Sequence, residues 1–240
     1  MVSRALSIQT GRAAIARHLE ILAPLNESER EALTSLKELV DFAAGQEITK
    51  PGAPLDDPMF VLAGWICRCS TLSDGRRQIL DFYLPGDLVG DGSRTGKRAH
   101  AFCVALTPAT CVRAGELIAL TRSQPDRFPG LANVWGAFES EIEKRLIDQI
   151  VRNGRMLAHE RLAHLIKDLY ERHRRVGVLV SEPFVMPLTQ EMFGDALGLS
   201  TVHVNRVLQQ LRREQIVRTS LGRVEMLNAQ LLEAAVQATR

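Results

Sequence analysis

At 240 residues the chain has room for one large domain or two modest ones, and its 45% hydrophobic content can furnish cores for them. No apolar run approaches the roughly 18 residues that a membrane-crossing helix needs. The N-terminal Met1-Val-Ser-Arg-Ala-Leu-Ser lacks the apolar stretch and cleavage site of a secretory signal, so a cytoplasmic protein with no membrane partner is expected. Net charge is only +2, but residues 1–150 hold 17 Lys+Arg against 19 Asp+Glu, whereas residues 151–240 hold 13 against 9. The basic excess therefore lies in the C-terminal part, where a polyanion would be met.

Residues 12–40 read as short helices, with Leu19, Leu22 and Leu25, then Leu33, Leu36 and Leu39, and a polar helix start at Asn26-Glu-Ser-Glu-Arg. From Phe42 to about Leu120, short apolar runs alternate with turn signals at Pro51-Gly52, Gly64, Asp74-Gly75, Pro85-Gly86-Asp87, Gly90 and Pro108. That rhythm predicts an antiparallel sandwich or small barrel, with its clearest strands at residues 60–67 and 78–84. The four cysteines, Cys67, Cys69, Cys103 and Cys111, form no Cys-x-x-Cys pair, and no paired histidines accompany them, so no metal site is expected. Cys67 and Cys69 are two apart in a strand and share a face. They are either plain thiols in a reducing compartment or a redox-sensitive pair.

A long helix is predicted after Pro129. Leu131, Val134, Phe138, Ile142, Leu146 and Ile150 form its stripe, which either pairs with a second copy as a two-stranded coiled coil or packs within the chain. The stripe stops at Asn153-Gly154, and glycine is a poor residue for a helix interior, so a hinge is expected there. Ala158 to Arg172 is helical again, with Leu162, Leu165, Ile166 and Leu169 inward. A basic link then leads into a predicted strand pair at residues 178–180 and 184–186.

Residues 188–211 read as two short helices around a sharp turn. Thr189 caps the first through its hydroxyl, Gly198 ends it in the left-handed conformation, and Ser200 caps the second. In the second helix Val204, Leu208 and Leu211 form the buried stripe. Val202, Arg206 and Gln209 fall on another face, with His203 and Arg213 beside it. A solvated helix bearing Arg, Gln, Asn and His, braced by a short helix, fits a DNA major groove. The run from Ile216 to Leu227 is two β-type segments around Leu221-Gly222, a hairpin that would place Arg218 and Arg223 near phosphates as a wing. The expected DNA-contacting residues are Thr189, Gln190, Ser200, Thr201, Val202, His203, Asn205, Arg206, Gln209, Arg213, Arg218 and Arg223. No Ser/His/Asp grouping, paired-carboxylate motif or nucleotide loop stands out, so an enzyme is not expected. A small-molecule-binding module that has lost its DNA role is a further alternative, and Arg206, Gln209 and the basic wing argue against it.

These parts resemble the Crp/Fnr superfamily of bacterial transcription regulators. The resemblance rests on Gly45-Gln-Glu-Ile, Phe60-Val-Leu-Ala-Gly-Trp, the segment from Asp74 to Gly90, Ala158-His-Glu-Arg-Leu-Ala, and residues 188–211. It spans roughly residues 17–232, and Gly-Arg-Arg-Gln-Ile and Pro-Gly-Asp-Leu-Val-Gly look most like its FixK/Fnr side. It implies an α+β fold. A cyclic-nucleotide-binding-like β-roll (a double-stranded β-helix) would occupy residues 17–128, a dimerisation helix 129–153, and a Crp-type winged helix-turn-helix domain 154–240. It also implies a homodimeric, sequence-specific transcription regulator, an activator by its family, that binds a palindromic operator in double-stranded DNA and contacts RNA polymerase. Two departures matter. Cyclic-nucleotide-binding members carry a Gly-Glu pair and an Arg followed by small or hydroxyl residues. Here Gly90-Asp-Gly-Ser-Arg-Thr-Gly-Lys-Arg-Ala supplies Arg94, Lys97 and Arg98 without that pattern, so no cofactor is expected and the effector is unassigned. Relatives also place a glutamate four positions before the recognition-helix arginine, where this chain has Val202. No cysteine precedes position 67, which excludes an N-terminal iron–sulfur cluster, and His100 alone does not make a haem site.

Overall fold

The computed structural model describes residues 4–90, 98–178, 183–220 and 223–237. The chain divides into two compact units, one of residues 1–68, 82–145 and 175–178, the other of 69–81, 146–174 and 179–240. Helices α1 (Arg4–Leu22) and α2 (Glu27–Thr34) precede eight strands: β1 (Leu39–Phe42), β2 (Glu47–Thr49), β3 (Met59–Ala63), β4 (Ile66–Thr71), β5 (Arg77–Tyr83), β6 (Leu88–Val89), β7 (Phe102–Ala105) and β8 (Ala109–Arg113). The strands form two four-stranded sheets, in the orders β1-β8-β3-β6 and β2-β7-β4-β5. The segment expected as one strand from Phe60 to Cys67 is two, because the chain turns at Gly64-Trp65. Strand β3 is buried on both faces, and its two alternating sets serve two cores. Met59 and Val61 join Ile66, Tyr83, Cys103, Ala105 and Cys111 inside the roll. Phe60 and Leu62 face the opposite way and pack with Ile15, Leu19, Leu33, Leu117, Ile118 and Phe128. That second core lies under α1, α2, α3 (Gly115–Ser123) and the start of α4 (Pro129–Arg155).

The long helix divides its stripe in a way periodicity does not reveal. Leu131, Val134 and Phe138 are fully buried in the first unit's core, with Trp135 beside Phe60. The expectation that the whole stripe from 131 to 150 faces a second copy is therefore corrected, because its first half is consumed within the chain. The apolar residues left outside are Ile147, Ile150 and Val151, which are 52, 71 and 45% exposed. Exposed Gly136 and Ser140 precede Ile147 and Val151 at near-helical spacing, giving one open face of small and then branched residues. The expected break at Asn153-Gly154 is also absent. Helix α4 runs through both residues to Arg155, and α5 (Ala158–Arg175) begins three residues later. One glycine costs a helix only about 1 kcal/mol, too little to break 27 residues anchored along their length.

All four cysteines are buried. Burial pushes the Cys111 thiol up to about 12, with Asp41 adding to it, so this thiol behaves as an inert core group. The first unit also buries a charged cluster. Both ring nitrogens of His18 face oxygens, the Gly86 carbonyl at 2.9 Å and the Glu141 carboxylate at 2.7 Å. Arg175 donates to the other Glu141 oxygen at 2.7 Å. Burial alone would raise the Glu141 pKa, but the His18 hydrogen bond and the charges of His18 and Arg175 outweigh it and pull the carboxyl down to about 2.

A depressed carboxylate pKa stabilises the fold fully above its ordinary value of 4.5 and loses that contribution as pH falls towards about 2. Glu141→Gln should therefore cost about 1–3 kcal/mol at neutral pH. The gap from the parent should close between pH 4.5 and 2 in urea unfolding monitored across pH. A gap that stayed constant across that range would mean the Glu141 charge contributes nothing.

Candidate nucleic-acid interface

The second unit carries a compact helical head. Beside α5 lie β9 (Phe184–Met186), α6 (Gln190–Leu197), α7 (Thr201–Arg213), the pair β10 (Val217–Ser220) and β11 (Arg223–Met226), and α8 (Ala229–Gln237). The strands form one antiparallel sheet in the order β10-β11-β9. Residues 184–186 pair with β11, Val224 opposite Met186 and Met226 opposite Phe184. Residues 179–182 and the predicted turn Leu221-Gly222 lie outside the described residues, as do Arg94 and Lys97. Arg98 donates to the Gly52 carbonyl at 2.6 Å.

The sharp turn between α6 and α7 follows from local chemistry. Thr189 accepts from the Met192 amide at 3.2 Å, and Ser200 accepts from the His203 amide at 3.3 Å, so each hydroxyl caps its helix as its type predicts. Gly198 takes φ +65°, the left-handed conformation that glycine adopts without strain. The sequence reading missed Gly194. A Cβ there would lie 2.6 Å from the Leu199 carbonyl oxygen, so only glycine lets the turn fold back onto α6. Behind the turn, Phe193, Leu197, Val204, Leu208 and Leu211 are buried, which fixes the rotation of α7 about its axis. Helix α7 ends without glycine. Gln215 takes φ +59°, and the Ile216 amide reaches back to the Leu211 carbonyl at 3.0 Å.

That rotation leaves an outward face of Thr201, Val202, His203, Arg206, Gln209 and Arg213, all exposed. Val202 is 70% exposed, an unusual position for a branched apolar side chain. Arg206 is exposed and, among the described residues, forms no ion pair. Asn205 is half-buried. It donates to Gln190 Oε1 at 3.1 Å and accepts from Gln209 Nε2 at 2.9 Å, joining the start of α6 to the outer face of α7. On the sheet, Arg218 is clamped by Glu225 at 2.5 Å, whereas Arg223 is exposed. Thr189 and Ser200 also stand at helix N-termini, where backbone amides favour anions.

The far end of α6 is held by groups whose partners the sequence does not reveal, although Arg77, Gln78 and Arg161 lie in phrases that carry the family resemblance. The Ala196 carbonyl accepts from Gln78 Nε2 at 3.0 Å, from Asn153 Nδ2 at 3.1 Å and from Gln149 Nε2. Arg161 donates to the Leu197 carbonyl at 3.1 Å, and Arg77 pairs with Asp195 at 2.7 Å. Arg152 in turn donates to Gln149 Oε1 at 2.5 Å, which turns the Gln149 nitrogen towards Ala196. Asn153, expected as part of a hinge, is instead one of these fasteners.

Known proteins share both halves of this architecture. Residues 39–116 match the model of the cyclic nucleotide-binding domain, and residues 160–235 match that of the Crp-like helix-turn-helix domain. The chain is 26% identical over 238 residues to the transcriptional activator protein FnrL of Cereibacter sphaeroides, covering 91% of this chain and 89% of that one. It is 29% identical over 214 residues to the fumarate and nitrate reduction regulatory protein of Vibrio cholerae, covering 88 and 84%. It is 27% identical over 187 residues to the nitrogen fixation regulation protein FixK of Azorhizobium caulinodans, covering 78 and 73%. In fold it is similar to FixK2 from Bradyrhizobium japonicum, with a TM-score of 0.68 over 82% of this chain and 96% of that one at 24% identity. With a β-roll, a long helix and a winged helix-turn-helix in that order, and with relatives aligned along most of its length, the chain belongs to the Crp/Fnr family of transcription regulators, on its FixK/Fnr side.

Proposed function

We propose that the protein is a homodimer that binds a two-fold symmetric operator in double-stranded DNA through α7 and activates transcription in contact with RNA polymerase, in the cytoplasm where that DNA lies. The observation that carries this reading is the outer face of α7, where Val202, Arg206 and Gln209 stand exposed on a helix rotated and capped by its own turn. Arg206 fits the guanine N7 and O6 acceptors, and Val202 fits a thymine methyl. Thr189, Gln190, Ser200, Thr201, His203, Asn205, Arg213, Arg218 and Arg223 complete the surface at phosphates and groove edges. We assign residues 17–128 to the sensor roll, 129–153 to the dimerisation helix and 154–240 to the DNA-binding domain. The name of FnrL, "transcriptional activator protein", supports activation as the direction of control.

The open face of α4 supports that helix as the dimer contact. Lysine at Ile147 and Val151 together should yield monomers by light scattering and abolish operator binding, while leaving the fold intact, because both residues are exposed in the single chain. A double variant that stayed dimeric would remove this face as the interface.

Selection of bound sequences from random DNA should return an inverted repeat with half-sites about 34 Å apart. Arg206→Ala should then cost about 1–3 kcal/mol and relax one base pair of each half-site. Arg223→Ala should weaken binding evenly across sequences, and Arg218→Ala should do so less, since Glu225 already neutralises that arginine. An unchanged selected motif in Arg206→Ala would refute this register of α7.

The roll matches a cyclic nucleotide-binding model, but its sequence lacks the Gly-Glu pair of nucleotide-holding members. Titration calorimetry should show no micromolar affinity for cyclic AMP, and cyclic AMP should not tighten operator binding. Micromolar binding with tighter operator affinity would overturn this.

A further inference from the structure

The half-buried Asn205 lies between two other amides. Its Nδ2 donates to Gln190 Oε1 at 3.1 Å, and its Oδ1 accepts from Gln209 Nε2 at 2.9 Å. Gln190 is the first residue of α6, directly after its cap Thr189, and Gln209 is one turn beyond Asn205 on α7. The three amides thus form one directed chain from the start of one helix to the exposed face of the next.

An amide chain of this kind has only two self-consistent senses, because turning one amide obliges the others to turn. The start of α6 selects between them. A helix N-terminus with exposed amides is where a phosphate sits, and a phosphate offers only acceptors. Gln190 must therefore turn its NH₂ outward and its oxygen inward, towards Asn205. Asn205 then donates to Gln190 and can only accept from Gln209. Gln209 is left with an unused carbonyl oxygen and one unused N–H. That pair complements adenine in the major groove, whose N6 amino group donates and whose N7 accepts. In the opposite sense Gln209 would present two N–H groups, which suit the two acceptors of guanine instead.

Resting on the reading that α7 enters the major groove, we infer that Asn205 is a positioning residue, which transmits the polarity set by a phosphate at Gln190 to Gln209 and so fixes adenine as the base that Gln209 reads. Asn205 itself touches no base in this arrangement. The specificity at Gln209 depends on a contact to the DNA backbone some distance away, and the connection is three side chains long.

Substitutions separate the parts of this chain. The experiment uses the full-length dimer and a library of the selected operator randomised within one half-site. Gln209→Ala should reduce the adenine preference at one base pair about tenfold. Asn205→Ala should remove most of the same preference at the same base pair, and the double variant should lose no more than Gln209→Ala alone, since residues acting through one contact are not additive. Asn205→Asp should retain the adenine preference, because its carboxylate still accepts from Gln209. It should nevertheless bind all sequences more weakly, because Gln190 must turn its donors inward to meet it. Gln190→Glu should also weaken binding evenly and keep the preference. Loss of preference at a different base pair in Asn205→Ala, or a new cytosine preference in Asn205→Asp, would show that Asn205 reads a base directly and would overturn the inference. A Gln209→Ala effect with no effect of Asn205→Ala would do the same. If neither Gln209→Ala nor Arg206→Ala altered the selected sequence, the placement of α7 in the groove would itself be wrong, an outcome distinct from failure of the amide chain alone.

Discussion

Helix α6 is only eight residues long, and such a helix is marginal without external support. The placement of α7 depends on that support. At one end Thr189 satisfies an amide of the first turn, while at the other the Ala196 carbonyl receives donors from Gln78, Gln149 and Asn153 and the Leu197 carbonyl receives Arg161. The last carbonyls of a helix have no partners of their own and carry the negative end of its dipole, so amide and guanidinium donors there act both as hydrogen bonds and as favourable charge. A side chain on the outer face of α7 can be no better placed than this brace. Gly194 and Gly198 then let the chain reverse tightly enough for Val204 and Leu208 to reach the core shared with Phe193.

Legibility in the sequence follows the range of the interaction concerned. Thr189, Gly198 and Ser200 act within three or four residues of themselves, and the structure has them capping and terminating as their types predict. The strands of the roll are readable because glycine and proline punctuate them. The fasteners of α6 are not readable, since Gln78 and Ala196 meet across 118 positions and nothing in a lone glutamine marks its partner. The stripe of α4 fails differently. Periodicity states which residues share a face but not what covers it, and here the fold covers Leu131, Val134 and Phe138 while leaving Ile147 and Val151 outside. Gln215 is a further miss. A left-handed residue that is not glycine gives no sequence signal, and its place is set by Ile216 having to reach the Leu211 carbonyl before β10 begins.

The basic excess of residues 151–240 also proves a coarse guide. Several of its arginines serve the fold. Arg152 is 3% exposed, and burial lowers its pKa. Arg161 holds Leu197, Arg212 donates to Thr219 at 2.9 Å, and Arg218 is matched to Glu225. The charge available to a phosphate backbone is accordingly smaller than the count suggests and is concentrated in exposed positions such as Arg206, Arg213 and Arg223. Counterion release scales with the phosphates neutralised, so a surface with few free cations must take more of its discrimination from the groove edges.

Val202 and Arg206 stand together on the face proposed to make that discrimination. They lie one turn apart on the same exposed face, and the branched side chain remains 70% exposed despite the cost of hydrating it. A glutamate at position 202 would stand one turn from Arg206, near enough to pair with it and to hold the guanidinium down on the helix. With valine there, Arg206 has no carboxylate partner among the described residues. In the proposed complex its donors would be free for the groove, and its orientation would be set by the DNA itself. The neighbouring Gln190–Asn205–Gln209 amides are instead bonded to one another, and the proposed phosphate at Gln190 sets their sense. One helix face thus sets an exposed, charged side chain beside a neutral one linked to its neighbours. In the proposed complex the first would gain affinity from a charge-assisted contact, and the second would gain selectivity from an orientation passed along its amide chain.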